Sequence, residues 1–137
     1  MYGESMISDC RPTLYATSVN KSLAYYRDVL GFKIGWRWSD GRSSFLEEGD
    51  SLSEVGTARV GRDKVQLMLV KQAQGQPGMW LHLDIESAEE VDASYAEWLG
   101  KGAFIVEAPS LRPWGMYAMR IRDPDAHTMR ISSPPHS

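Results

Sequence analysis

Side chains able to do chemistry concentrate in the stretch WLHLD, Trp80 to Asp84, where residue types alternate strictly. Successive side chains of a strand point to opposite faces. Trp80, His82 and Asp84 therefore share one face, and Leu81, Leu83 and Ile85 share the other. An indole, an imidazole and a carboxylate side by side can stack a flat molecule, accept hydrogen bonds or move a proton. If a reaction is catalysed here, His82 or Asp84 is the candidate general base, since these groups are the most easily tuned to titrate near neutral pH. As metal ligands the two fall short, because a typical centre needs at least a third donor and none is apparent. The simpler reading of His82 is a polar cavity residue hydrogen-bonded to a neighbour.

The same parity extends to other segments. Thr13 and Tyr15 oppose Leu14 and Ala16. Gln66 and Met68 oppose Val65, Leu67 and Leu69, while Thr128, Arg130 and Ser132 oppose Met129 and Ile131. With the aliphatic sets in a core, the candidate lining is Tyr15, Met68, Trp80, His82, Asp84 and Arg130, with Trp114 and Met116 on or beside a nearby loop. Aromatic faces and a polarizable thioether amid a few polar groups suit a partly planar small molecule. Trp36, Trp38 and Trp98 are read as core, as most tryptophans are. The sign of the ligand stays open. Asp84 and the acidic stretch Glu47 to Glu54 favour a cation, whereas Arg11 and Arg130 favour a carboxylate or phosphonate gripped bidentately. An arginine paired with Asp84 would favour neither.

These residues need strands and helices to hold them. Thr13 to Ser18 reads as a strand, followed by a helix with Asn20 as N-cap, Leu23, Tyr26 and Leu30 on one face, and Gly31 at its end. Phe32 to Trp38 is a second strand, and Asp40 to Glu54 a polar loop. Val55 to Val60 and Lys64 to Val70 form a hairpin across Gly61, Arg62 and Asp63. Lys71 to Gly78 is a linker. The order then repeats: strand Trp80 to Glu86, and a helix from Ala88 to Leu99 opened by the capping box Ser87–Glu90 with Val91, Tyr95 and Trp98 on one face. Strand Phe104 to Glu107 follows, then a loop from Ala108 to Trp114. Strands Met116 to Arg122 and Thr128 to Ser132 are joined by a turn at Asp123-Pro124-Asp125. Tyr25 with Tyr95, and Gly31 with Gly102, correspond as in a duplicated unit. The expected fold is α+β: two βαβββ modules paired into a curved mixed sheet forming a cup, helices on the outside. One domain spans residues 1–137, with module one at about 11–71, a linker at 72–78 and module two at about 79–133.

Composition narrows the functional classes. With 42% hydrophobic and 24% charged residues among 137, the chain is an ordinary globular protein. A net charge of −3 disfavours nucleic acid as partner. No apolar run approaches the roughly 20 residues of a membrane helix, and the first residues lack signal-peptide character, so a cytoplasmic location is expected. The single cysteine, Cys10, excludes intrachain disulfides and cysteine-rich metal clusters. Met6 is an alternative start to Met1, and SSPPHS at the end is read as a tail with no role in the fold.

Three segments carry a resemblance: SVNKSLAYYRDVLGFKIGW (Ser18 to Trp36), VGRDKVQLMLV (Val60 to Val70) and PWGMYAMRIRDPDAHTMRI (Pro113 to Ile131). Their order and spacing resemble the glyoxalase, bleomycin-resistance and dioxygenase superfamily, the vicinal oxygen chelate proteins. The resemblance implies paired βαβββ modules, a homodimer and a cup that binds a small molecule. Many members hold a divalent metal there; bleomycin-resistance proteins sequester a drug without one. The positions implied for metal ligands fall at Arg11 (Thr13 with a slipped register), Met68, Trp80 and Arg130. Guanidinium has no free lone pair, indole only donates, and thioether is too soft for Mg, Mn or Zn. No metal and no other cofactor is therefore expected. His127 stands where relatives often have Gly-Asn and is read as an exposed turn residue. The leading expectation is a metal-free small-molecule binding protein of the bleomycin-resistance type. The alternatives are a glyoxalase-like lyase, isomerase or dioxygenase with an unrecognised metal site, and a regulatory or partner-binding module.

Overall fold

Hydrophobic parity and helix periodicity build two like modules, described in a computed structural model for residues 10–47, 50, 55–71 and 75–137. The elements run β1 (Thr13–Ala16), α1 (Val19–Ala24), β2 (Lys33–Ser39), β3 (Ser44–Phe45), β4 (Thr57–Arg62), β5 (Val65–Lys71), β6 (Trp80–Asp84), α2 (Ala88–Gly100), β7 (Phe104–Leu111), β8 (Tyr117–Arg122) and β9 (Thr128–Ser133). Each module makes its own mixed sheet, ordered β1-β5-β4-β2-β3 and β6-β9-β8-β7, with the first strand parallel to the last. This is the expected α+β pair of βαβββ modules. Among the described residues no strand of one sheet pairs with a strand of the other.

One continuous core joins the modules. Leu14, Ala16, Val60, Leu67 and Leu69 of the first sheet, Met119, Ile121, Met129 and Ile131 of the second, and Val91 and Trp98 of α2 all belong to it. These are the inward-parity residues of each strand, so each sheet turns its other face away from the helices. Ser87 caps α2 as expected, its Oγ accepting from the Glu90 N–H at 3.2 Å. Polar bonds cross the junction as well. The Leu30 carbonyl, at the end of the first helical segment, accepts from Trp98 Nε1 at 3.1 Å and from Arg62, which also pairs with Glu97 at 3.0 Å. Tyr26 donates to Asp123 at 2.9 Å inside the protein. Burial and the facing Asp123 carboxylate hold that phenol well above its ordinary pKa, so it remains a donor.

Several expectations are corrected. The N-cap of α1 is Ser18, whose Oγ accepts from the Lys21 N–H; Asn20 sits inside the first turn with its Oδ1 buried and unpartnered. The segment then widens to a π-turn over Tyr25–Val29, with the Leu30 N–H donating to the Tyr25 carbonyl. The hairpin turn is tighter than expected, at Asp63 and Lys64, because Asp63 takes φ +53° and Arg62 stays in the ladder opposite Val65. Strand β7 runs on to Leu111 where a loop was expected. It is an edge strand, where Pro109 need donate no ladder bond. Ser44 and Phe45 form a short strand inside the expected loop. Glu48, Glu54, the linker residues Gln72 to Gln74 and Met6 lie outside the described residues.

The tail is also docked. His136 Nε2 lies 3.0 Å from Asp92 Oδ2, and its ring meets Tyr117 edge-on at 4.7 Å. The largest departure is His127, which is fully buried. Its Nδ1 accepts from the Met79 N–H at 3.0 Å, so Nε2 carries the proton and donates to the Tyr15 carbonyl at 2.7 Å. Alanine at position 126, at φ +63°, turns the chain so that the next side chain enters the junction.

Candidate functional site

The alternation of WLHLD is realised in space. Trp80 is 56% exposed, His82 and Asp84 also face outward, and Leu81 and Leu83 pack toward the core. Directly opposed residues of neighbouring strands share a face. Register therefore sets His82, Arg130, Arg120 and Glu107 in one row across β6, β9, β8 and β7. The corresponding row of the first sheet is Thr13, Met68, Arg59 and Trp36 across β1, β5, β4 and β2. Each row follows a bulge at the same place, between Ile34 and Trp36 and between Ile105 and Glu107.

On the second sheet the row is capped by a ladder of cations and indoles. Arg130 lies over the Trp80 ring at 5.4 Å and over the Trp114 ring at 5.1 Å. Arg120 flanks Trp80 at 5.7 Å, and Arg112 flanks Trp114 at 5.4 Å. Each such contact is worth about 0.5–1 kcal/mol at an exposed site, enough together to hold both rings in place. Trp114 is presented by a turn closed by the Arg112 N–H on the Met116 carbonyl at 2.8 Å, with Gly115 at φ +95°. Met116 thus enters the site through its backbone carbonyl, which closes the turn. Glu107 pairs with Arg112 at 3.0 Å and with Arg120 at 3.4 Å. Among the described residues no carboxylate lies within ion-pair distance of Arg130. Asp84 turns instead toward His82, at 3.8 Å, and toward Ser132.

His82 Nε2 lies 2.8 Å from Ser132 Oγ, which is 3.5 Å from Asp84 Oδ1. Serine, histidine and aspartate thus meet, but the carboxylate approaches the same ring nitrogen as the serine. A nucleophilic triad needs the acid on the opposite nitrogen, to fix the tautomer. What remains is an outward-facing histidine whose Nε2 contacts a serine hydroxyl, with a carboxylate further off.

The structure brings Trp80, His82, Asp84, Trp114 and Arg130 together. It places Tyr15 and Met68 on the outward face of the other sheet. Ser132, set on the outward face by parity, joins the expected lining, and Arg112 and Arg120 are additions, although the parity of Met119 and Ile121 already turns Arg120 outward. Trp36 and Trp38 were read as core and are not. Opposite Arg59 and Thr57, they side with Met68 on the outward face and flank Phe45 at 5.7 and 5.0 Å. The missed signal is Gly35, since a glycine inside a strand marks a bulge that shifts parity. Trp98 is core, as expected. A groove of about 580 Å³ lies elsewhere, between the β4–β5 hairpin and α2, and takes in only Asp84 of the expected lining.

The family's divalent metal can be tested on these residues. Opposite Met68 and Arg130 stand Thr13 and His82, rather than Arg11 and Trp80. Of this set only His82 is an ordinary ligand, and the Arg130 cation beside it repels a dication. Among the described residues no three of His, Cys, Asp and Glu converge. The residues present do not fit such a centre.

Two βαβββ modules with outward-facing strand rows define a paired-module α+β fold. The chain belongs to the Glyoxalase/Bleomycin resistance protein/Dioxygenase superfamily, whose model matches residues 10–131. Among solved structures it is similar to TioX from Micromonospora sp. ML1, with 16% identity, TM-score 0.71 and coverage of 92% of this chain and 98% of that one. A glyoxalase/bleomycin resistance protein/dioxygenase from Nocardioides matches with 16% identity, TM-score 0.67 and coverage of 96% and 86%. A virulence protein from Salmonella typhimurium matches with 21% identity, TM-score 0.63 and coverage of 94% and 99%. At these identities the likeness concerns the fold. No curated protein matches the chain significantly.

Proposed function

We propose that this protein is a metal-free small-molecule binder of the glyoxalase/bleomycin-resistance type, sequestering a drug or metabolite in a cup-shaped pocket. One observation carries the reading: Trp80 and Trp114, more than half exposed, are held in a ladder with Arg130 on a face whose residues do not suit a metal. Exposed indoles fixed in place offer a stacking surface at little entropic cost. In a single chain this face is open, whereas small-molecule sites bury most of their ligand. A second copy closing over it completes the pocket, so the working unit is a homodimer acting in the cytoplasm, with antibiotic resistance as one role.

The test combines elemental analysis with a thermal-shift screen of organic acids, cations and neutral aromatics. A ligand at about 100 times its Kd adds about 2.7 kcal/mol of stability. Shifts with dialysed, metal-free protein support the reading, and stoichiometric Ni, Zn, Mn or Fe surviving dialysis contradicts it. Sedimentation should give a dimer. The second reading, a glyoxalase-like lyase or isomerase, draws on the contact of His82 with Ser132. It predicts turnover abolished in His82→Ala.

A further inference from the structure

Resting on that small-molecule reading, we infer that the ligand of the second sheet is an anion carried on a flat aromatic body, its acid group held by Arg130. Three arginines, Arg112, Arg120 and Arg130, share one glutamate, Glu107, which pairs with the outer two and leaves the central one without an acid partner among the described residues. The Arg130 guanidinium carbon lies 5.4 Å from the Trp80 ring centre and 5.1 Å from that of Trp114. Its fork of N–H donors is left to bond, and a carboxylate matches that fork bidentately. Of the two carboxylates that would draw a cation, Glu107 is paired with Arg112 and Arg120, and Asp84, at the end of β6, lies 3.8 Å from His82 and 3.5 Å from Ser132. Beyond the acid group, the exposed faces of Trp80 and Trp114 receive the aromatic body.

The test is calorimetric titration of the full-length protein with three probes of one shape: naphthoate, naphthamide and naphthylmethylammonium. Naphthoate should bind about tenfold or more tighter than the amide, and the ammonium most weakly. Arg130→Gln should abolish that preference, and Arg130→Lys, which keeps the charge and loses the fork, should reduce it. Lys101→Gln, on the far end of α2, should leave it intact, with circular dichroism confirming that all variants fold. Equal binding of acid and amide, or a preference for the ammonium, overturns the anionic assignment while the small-molecule reading stands. An acid preference that survives Arg130→Gln overturns it too. So does a dimer that dissociates in Arg130→Gln, since Arg130 then serves the partner subunit. If none of the probes binds the inference fails, and a silent thermal-shift screen takes the small-molecule reading with it.

Discussion

The imidazole of His127, from the second module, donates to the main-chain carbonyl of Tyr15 on the first strand of the first module at 2.7 Å. Its other nitrogen accepts from Met79, where the chain enters the second module. One buried ring therefore ties the start of each module to the turn between the last two strands. Replacing it with alanine leaves a cavity and a main-chain donor and acceptor unpaired. Such losses cost about 2–4 kcal/mol. Urea denaturation of His127→Ala should show this drop, and a change under about 0.5 kcal/mol, the size of an ordinary surface substitution, would contradict the strut assignment.

Much of this arrangement was legible beforehand because burial repeats with the period of the backbone. Leu81 and Leu83 against Trp80, His82 and Asp84, and Met129 and Ile131 against Arg130, assign faces with no further information. Ser87 with Glu90 marked the start of α2 for the same local reason. What escaped depends on events that break a period or act at long range. The bulge at Gly35 shifted Trp36 and Trp38 to the outward face. Residue 126 at φ +63° sent His127 inward, where its partners are Tyr15 and Met79. The Arg130 ladder needed rings from two separate elements, Trp80 on β6 and Trp114 on a turn, which no spacing along the chain announces.

The turn that delivers His127 is strained by its own sequence. Ala126 holds φ +63°, a region that costs a residue with a Cβ about 1–2 kcal/mol and costs glycine little. Part of the relief is offset by the freer unfolded chain of a glycine variant. Ala126→Gly should stabilise the protein by a net of about 0.5–1 kcal/mol on those figures. A destabilised variant in the same urea assay would show that the turn is not strained.

Tyr117 reports on how the C-terminal segment is docked. Its hydroxyl donates to Asp92, and that hydrogen bond pushes the phenol up to about 12. The same bond, with His136 adding to it, holds the Asp92 carboxyl below its usual value. A phenol whose folded pKa is raised adds stability at pH values below its unfolded value of about 10. That contribution is lost as pH rises through about 12. The depressed Asp92 works in the opposite sense, adding stability above the ordinary aspartate range and losing it as pH falls. Ring-carbon NMR should find Tyr117 titrating late in the wild type. In Asp92→Asn it should return toward about 10, the free tyrosine value. A late titration persisting in that variant would place the cause elsewhere.

The account's central claim is that a small molecule is held against the indoles of Trp80 and Trp114 without a metal. Its most direct measurement is calorimetric titration of naphthoate into chelator-treated protein, wild type beside the Trp80→Ala/Trp114→Ala double variant. Each stacked aromatic group is worth about 0.5–1.5 kcal/mol beyond its buried area, so losing both should weaken binding by about tenfold or more. The account predicts binding unaffected by the chelator and lost to that extent in the variant. Binding that requires added metal, or that persists undiminished without either indole, would contradict it.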